Sequence, residues 1–89
     1  MPHVYLLRCR DGSLYAGAAV DLEKRLREHR AGRASRYTRS RLPVDLAWSA
    51  EVDSWSAALR EEARIKSLSR SAKELLLASE PAIDVLASR

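Results

Sequence analysis

The 89-residue sequence predicts an α/β fold: a small three-stranded antiparallel or mixed sheet, built from a β-hairpin and a third strand and flanked by helices, in the order β-β-α-β-α-α. Three observations predict it. Two apolar runs bracket the turn-forming Arg10-Asp11-Gly12-Ser13. Residues 44–52 alternate between apolar and polar. Further segments carry helical apolar spacing behind good capping residues.

Val4-Tyr5-Leu6-Leu7-Arg8-Cys9 reads as the first strand and Leu14-Tyr15-Ala16-Gly17-Ala18 as its return. Loop length decides where each tyrosine faces, because cross-strand partners share a face and side chains alternate. A two-residue Asp11-Gly12 loop pairs Tyr15 with Arg8 and sends Tyr5 and Tyr15 to opposite faces. A three-residue Arg10-Asp11-Gly12 loop, with Gly12 left-handed, pairs Leu7 with Tyr15 and Tyr5 with Gly17, so both phenols share a face. Cooperation between the tyrosines therefore requires an odd-length loop with Gly12 at positive φ. Gly17 would leave room for another backbone to approach.

Asp21 is a suitable N-cap for a helix over about 22–31, with Gly32 as its stop. The inward stripe of that helix is Leu22, Arg25, Leu26 and His29. The segment from Arg33 to Arg41 reads as a basic loop containing Tyr37. Val44, Leu46, Trp48, Ala50 and Val52 form the buried face of the third strand. Asp53 or Ser54 caps a helix over 54–68 whose apolar positions are Trp55, Ala58, Leu59 and Ile65, so both tryptophans read as core. Ser71 and Glu74 have capping-box spacing and open a last helix through about Ala78. Residues 1–80 form a single domain, and 81–89 a peripheral tail.

Composition is that of a globular chain: 46% hydrophobic and 31% charged residues, with a net charge of +4. The charge is unevenly placed. Between Leu22 and Leu42 stand eight Lys or Arg against Glu23 and Glu28, a local net of +6. Most of these are arginines, which fork onto phosphate. Cys9 is the only cysteine, which excludes an internal disulfide and a zinc cluster and leaves it as a small buried residue. No run approaches the roughly 18 apolar residues of a membrane span. No signal-peptide pattern opens the chain, so a cytoplasmic protein near nucleic acid is expected.

Against this background Glu62 stands out. It lies in the middle of an inward stripe, where a carboxylate is costly unless a cation or donors meet it. Arg25 and His29 interrupt the earlier helix in the same way, and Tyr5 and Tyr15 flank the hairpin. Each has an ordinary reading as well: a salt bridge from Glu62 to Arg25 or Lys66, an ion pair for Arg25, and packing for His29 and the tyrosines.

The ordered set resembles the GIY-YIG nuclease superfamily. Val4-Tyr5-Leu6 and Tyr15-Ala16-Gly17 stand for its two signature triplets. Arg25 and His29 follow at the family's spacing of four, Tyr37-Thr38-Arg39-Ser40-Arg41 resembles the basic loop of its small stand-alone members, and residues 58–69 resemble its glutamate-bearing helix. The likeness runs from about Val4 to Leu77 and is nearest the small YhbQ-type proteins, relatives of the incision domain of bacterial excision repair. Ala16, Ala18 and Ala19 depart from the usual residues. Ala19 lacks a hydroxyl that could touch phosphate or the histidine.

The resemblance implies a metal-dependent endonuclease that hydrolyses DNA phosphodiesters, leaving 3′-hydroxyl and 5′-phosphate ends, in repair or recombination. Single-stranded, branched or damaged DNA is the expected target, with RNA open as a substrate. Phosphodiester hydrolysis needs an activated water and charge stabilisation on the phosphate and leaving oxygens. Glu62 is the expected ligand of one Mg²⁺ or Mn²⁺, an ion that keeps much of its water. Arg25 would clamp the scissile phosphate, and His29 would bond a phenol or the phosphate. Tyr5 is the expected activator of water, its pKa lowered by Arg25 and the metal, with Tyr15 orienting or sharing the role. Arg27, Arg33, Arg36, Arg39, Arg41 and Lys66 would track the backbone, and Tyr37 would stack on a base. The alternatives are a non-catalytic nucleic-acid-binding module of the same fold, and a small domain whose basic face meets an acidic protein.

Overall fold

A computed structural model describes residues 1–87; the last two residues of the expected tail lie outside the described residues. The elements are β1 (His3–Arg8), β2 (Leu14–Ala19), α1 (Leu22–Arg30), α2 (Arg36–Arg39), β3 (Asp45–Glu51), α3 (Trp55–Lys66) and α4 (Arg70–Ala87). The sheet order is β2-β1-β3, and both pairings are antiparallel.

β1 lies at the centre, and its Val4-Tyr5-Leu6-Leu7 run is buried throughout because both faces are covered. On one face Val4, Leu6, Leu14, Ala16 and Trp48 pack with Ala58 and Ile65 of α3. On the other, Tyr5, Leu7, Cys9, Ala19 and Val44 pack with Leu26 of α1. Full burial of a residue such as Ile65 stabilises by about 1.5–3 kcal/mol, so each cluster anchors its helix.

The hairpin has the odd loop. Cys9 N donates to Ser13 O at 2.9 Å, leaving Arg10-Asp11-Gly12 between the strands, with Gly12 at φ +87°. Leu7 pairs with Tyr15 and Tyr5 with Gly17, so both phenols lie on the α1 face.

Asp21 caps α1, its side chain accepting from Lys24 N at 3.1 Å, and Gly32 follows at φ +77°. Ser54 caps α3 through Ala57 N.

Several details differ from expectation. The basic loop contains a one-turn helix, α2, because Ser35 caps it by accepting from Thr38 N; the order becomes β-β-α-α-β-α-α. β3 does not present one alternating face. A register shift opposite Leu6 and Leu7 leaves Ala47 as the extra residue, so Trp48 pairs with Leu6 while Leu46 pairs with Leu7, on opposite faces. Leu46 is consequently 38% exposed. Trp55 and Leu59 are 43% and 45% exposed rather than core, since the covered arc of α3 carries Ala58 and Ile65. Ser71 does not cap α4. Ser69 does, accepting from Ala72 N, while Glu74 instead takes two hydrogen bonds from Arg8 at 2.6 and 2.8 Å. The helix itself continues past Ala78. No helix among the described residues is long and apolar enough to cross a membrane.

Candidate active site

The α1 face of the hairpin brings Tyr5, Tyr15 and His29 together. Tyr5 Oη and His29 Nε2 are 2.9 Å apart, with the rings edge to face at 5.7 Å between centroids. Tyr15 meets the same imidazole edge to face at 5.4 Å. Tyr5 and His29 are 2% and 1% exposed, whereas Tyr15 is partly exposed. His29 reaches inward because it lies seven residues after Leu22 and three after buried Leu26, on the covered side of α1.

Gly17 is what lets Tyr5 fit. A Cβ there would overlap Oη and Cζ of the phenol. The space expected for a foreign backbone is therefore filled by the chain's own tyrosine.

Arg25 lies one turn before His29, half-exposed, with Nε 3.6 Å from Glu28 Oε1. Glu62 is 20% exposed and pairs with Lys66 Nζ at 3.2 Å, the ordinary ion pair that was one reading of it. No hydrogen bond or ion pair joins Glu62 to Tyr5 or Arg25 among the described residues. Its charge nonetheless reaches Tyr5, together with those of Tyr15, Arg25 and Glu28.

Burial pushes the Tyr5 phenol well above its ordinary pKa. Tyr15, Glu62 and Glu28 add to this, and Arg25 opposes it without prevailing. Arg25 lowers the value as expected, but desolvation of the buried phenolate outweighs this one half-exposed guanidinium, so the net shift is upward. Burial, aided by Arg25 and opposed by Glu28, holds the His29 pKa below the usual imidazole value. Tyr5 and His29 are therefore both neutral at neutral pH.

Sequence reasoning missed two neighbours. Glu28, the i+3 partner of Arg25, acts electrostatically on both Tyr5 and His29. Thr38, fully buried on α2, places Oγ1 2.9 Å from His29 Nδ1. The available signal for Thr38 was Ser35 three residues earlier, the spacing of a capped turn.

The basic segment divides in two. Arg33, Arg36 and Arg39 line one cleft of about 240 Å³ and form no ion pair among the described residues. Arg41 is held by Asp11 at 3.0 Å and lies 3.8 Å over the Tyr37 ring, which stacks on Tyr15 at 5.6 Å. Lys66 is engaged with Glu62, and Arg27 is exposed on α1. A second cleft, of about 330 Å³, lies beside Arg25 and is bounded by Trp55.

Among the described residues no group of three or more His, Cys, Asp or Glu side chains could enclose a metal ion. Glu62, a single partly exposed carboxylate whose charge reaches Tyr5, fits a hard cation that keeps most of its water. It would not fit zinc, which wants a closed set of nitrogen or sulfur ligands.

The GIY-YIG catalytic domain model matches residues 1–75. A UPF0213 protein of Halobacterium salinarum is 49% identical over 76 residues, covering 85% of this chain and 99% of its own. One from Syntrophus aciditrophicus is 46% identical over 80 residues, covering 89% and 92%. Among solved structures, a UPF0213 protein from Bacillus halodurans superimposes with a TM-score of 0.57 at 39% identity, covering 88% of this chain and 84% of its own. A protein from E. faecalis gives a TM-score of 0.60 at 36% identity, covering 90% and 85%. With the paired tyrosines, the buried histidine and these likenesses in hand, the chain belongs to the GIY-YIG family, among its small UPF0213 proteins.

Proposed function

We propose that the protein is a metal-dependent endonuclease that hydrolyses phosphodiester bonds in DNA, with single-stranded, branched or damaged DNA favoured, acting in repair or recombination. A GIY-YIG catalytic domain implies nuclease-type phosphodiester hydrolysis and a nucleic-acid substrate. The observation that carries the finer reading is the convergence on Tyr5: a buried hydrogen bond to His29, a ring neighbour in Tyr15, and the charges of Arg25 and Glu62 within reach.

The roles follow from exposure and charge. Glu62 would hold Mg²⁺ or Mn²⁺, and the bound ion would offset charge on the phosphate oxygens. Arg25, a half-exposed guanidinium, clamps the scissile phosphate. Tyr15 is the phenol with access to solvent, so it orients and activates the attacking water. Tyr5 is too buried for that role and supports it from behind, through His29. Arg33, Arg36 and Arg39 grip backbone phosphates, and Tyr37 would stack on a base once Arg41 moves off its ring. Residues 1–80 serve as the nuclease domain and 81–89 as a tail.

The experiment is a cleavage panel with Mg²⁺ and Mn²⁺ on single-stranded, duplex, flap and junction DNA, with Glu62→Ala as control. The expected result is metal-dependent cleavage that Glu62→Ala abolishes while binding persists. Cleavage by Glu62→Ala at the wild-type rate would remove the proposed ligand. The Glu62–Lys66 ion pair is the observation that favours the alternative, a binding module without turnover. Salt-sensitive binding with no cleavage of any form would establish it.

A further inference from the structure

Three buried polar groups form a line from the sheet into α2. Tyr5 Oη lies 2.9 Å from His29 Nε2, and His29 Nδ1 lies 2.9 Å from Thr38 Oγ1. Tyr5, His29 and Thr38 are all at most 2% exposed. At the outer end stands half-buried Ser35, whose hydroxyl is 2.9 Å and carbonyl 3.4 Å from Thr38 Oγ1. A neutral imidazole carries one N–H and one lone pair, so the line can run in either of two directions.

Counting protons selects one direction. Among the described residues His29 Nε2 is the one hydrogen-bond partner of Tyr5 Oη. If Nε2 carried the ring proton, Tyr5 would accept it, and its own hydroxyl proton would be left buried without an acceptor. If Nδ1 carries it, every donor is matched. The Tyr5 hydroxyl donates to Nε2, Nδ1–H donates to Thr38 Oγ1, and the Thr38 proton turns outward to the oxygens of Ser35. Thr38 is held in place for this by its own backbone, since Thr38 N donates to Ser35 Oγ at 3.1 Å. The one-turn helix is therefore the device that presents an acceptor to the far side of the imidazole.

We infer that Thr38 is a positioning residue that fixes His29 as the Nδ1–H tautomer and so aims the Nε2 lone pair at the Tyr5 hydroxyl. Neither Arg25 nor Glu28, the charged neighbours of His29, supplies that acceptor: no hydrogen bond joins either to the ring among the described residues. Without the Thr38 oxygen, Nδ1–H would be an orphan, while a proton on Nε2 would orphan the Tyr5 hydroxyl instead, so each tautomer would leave one buried donor unpaired and the ring would lose its single form. In the Nε2–H fraction the Tyr5–His29 bond would reverse, with Tyr5 accepting. The tautomer stands on the hydrogen bonds alone; its consequence for turnover rests on the nuclease reading.

The test uses Thr38→Val, which removes the hydroxyl at nearly constant shape, and Thr38→Ser, which restores it. Long-range ¹⁵N–¹H NMR reads the protonated nitrogen of each imidazole; the chain has two histidines, and His3→Gln assigns the spectrum. Wild type and Thr38→Ser should show Nδ1–H on His29 at neutral pH, and Thr38→Val should show a mixture of the Nδ1–H and Nε2–H forms. In cleavage, kcat of Thr38→Val should fall on the order of 10²-fold with KM little changed, and Thr38→Ser should recover most of it. An Nε2–H ring in wild type, or an unchanged tautomer in Thr38→Val, would overturn the assignment. Should Thr38→Val not fold, the wild-type and Thr38→Ser spectra still decide it. Should wild type cut no nucleic acid, the nuclease reading fails while the spectra still settle the tautomer.

Discussion

The phenol of Tyr5 occupies the space that a side chain on its cross-strand partner, Gly17, would need. The constraint is steric and lies in the core, since Tyr5 is 2% exposed and cannot swing into solvent. Gly17→Ala should therefore destabilise by about 1–3 kcal/mol, as overpacking does, and should weaken the Tyr5–His29 bond. Urea denaturation measures the first effect. Pairing the substitution with Tyr5→Leu in a double-mutant cycle isolates the clash, and additive effects would show that the two residues do not collide.

His29 gives a pH signature whose sign follows from its lowered pKa. Burial and Arg25 keep the folded imidazole neutral below the ordinary value of 6.5. The unfolded chain takes up a proton as pH falls through 6.5, and the folded protein does not. The contribution to stability is full above that pH and is lost as pH falls from there through the folded pKa. The urea midpoint should decline as pH falls below the ordinary imidazole value of 6.5, and His29→Gln should flatten that decline. Glu61 and Glu74, whose pKa values lie below 4.5, act in a lower window and do not confuse the reading. An equally steep decline in His29→Gln would place the titration elsewhere. In cleavage, Tyr5, Tyr15, Arg25 and Glu28 all border this ring, and the acid limb of kcat/KM should fall below pH 6.5.

The hairpin was legible in the sequence because its register hangs on one local feature, an odd loop closed by Gly12 at positive φ. Asp21 and Ser54 were legible as caps for the same reason: a cap is a local hydrogen bond. What escaped depends on packing at a distance. The bulge at Ala47 that moves Trp48 to the other face has no distinctive residue type. Trp55 fits the helical period, but periodicity does not tell where the covering sheet ends. A four-residue helix such as α2 is too short to show a period at all. The rise in the Tyr5 pKa was missed because nearby charges can be guessed from sequence, whereas depth of burial cannot. Within the candidate site, the identities of Tyr5, Tyr15, Arg25, His29 and Glu62 were readable from pattern and resemblance. The partners Thr38 and Glu28 emerged only with the folded chain.

Arg33, Arg36 and Arg39 line one cleft and form no ion pair among the described residues, whereas Arg41 already binds Asp11. Each guanidinium that neutralises a phosphate releases a counterion, so removing it should reduce the slope of log affinity against log salt by roughly 0.7–0.9. The triple alanine variant should therefore lose about 2–3 units of slope on single-stranded or duplex DNA and bind more weakly across all sequences. Arg41→Ala should change the slope by less, because its charge is partly met by Asp11 in the free protein. The same substitution should uncover the face of the Tyr37 ring that the guanidinium covers at 3.8 Å, and so strengthen rather than weaken base stacking there. Fluorescence anisotropy over a salt series measures both. A triple variant with an unchanged slope would show that the phosphate track runs elsewhere, along Arg27 of α1 or the exposed side of α3.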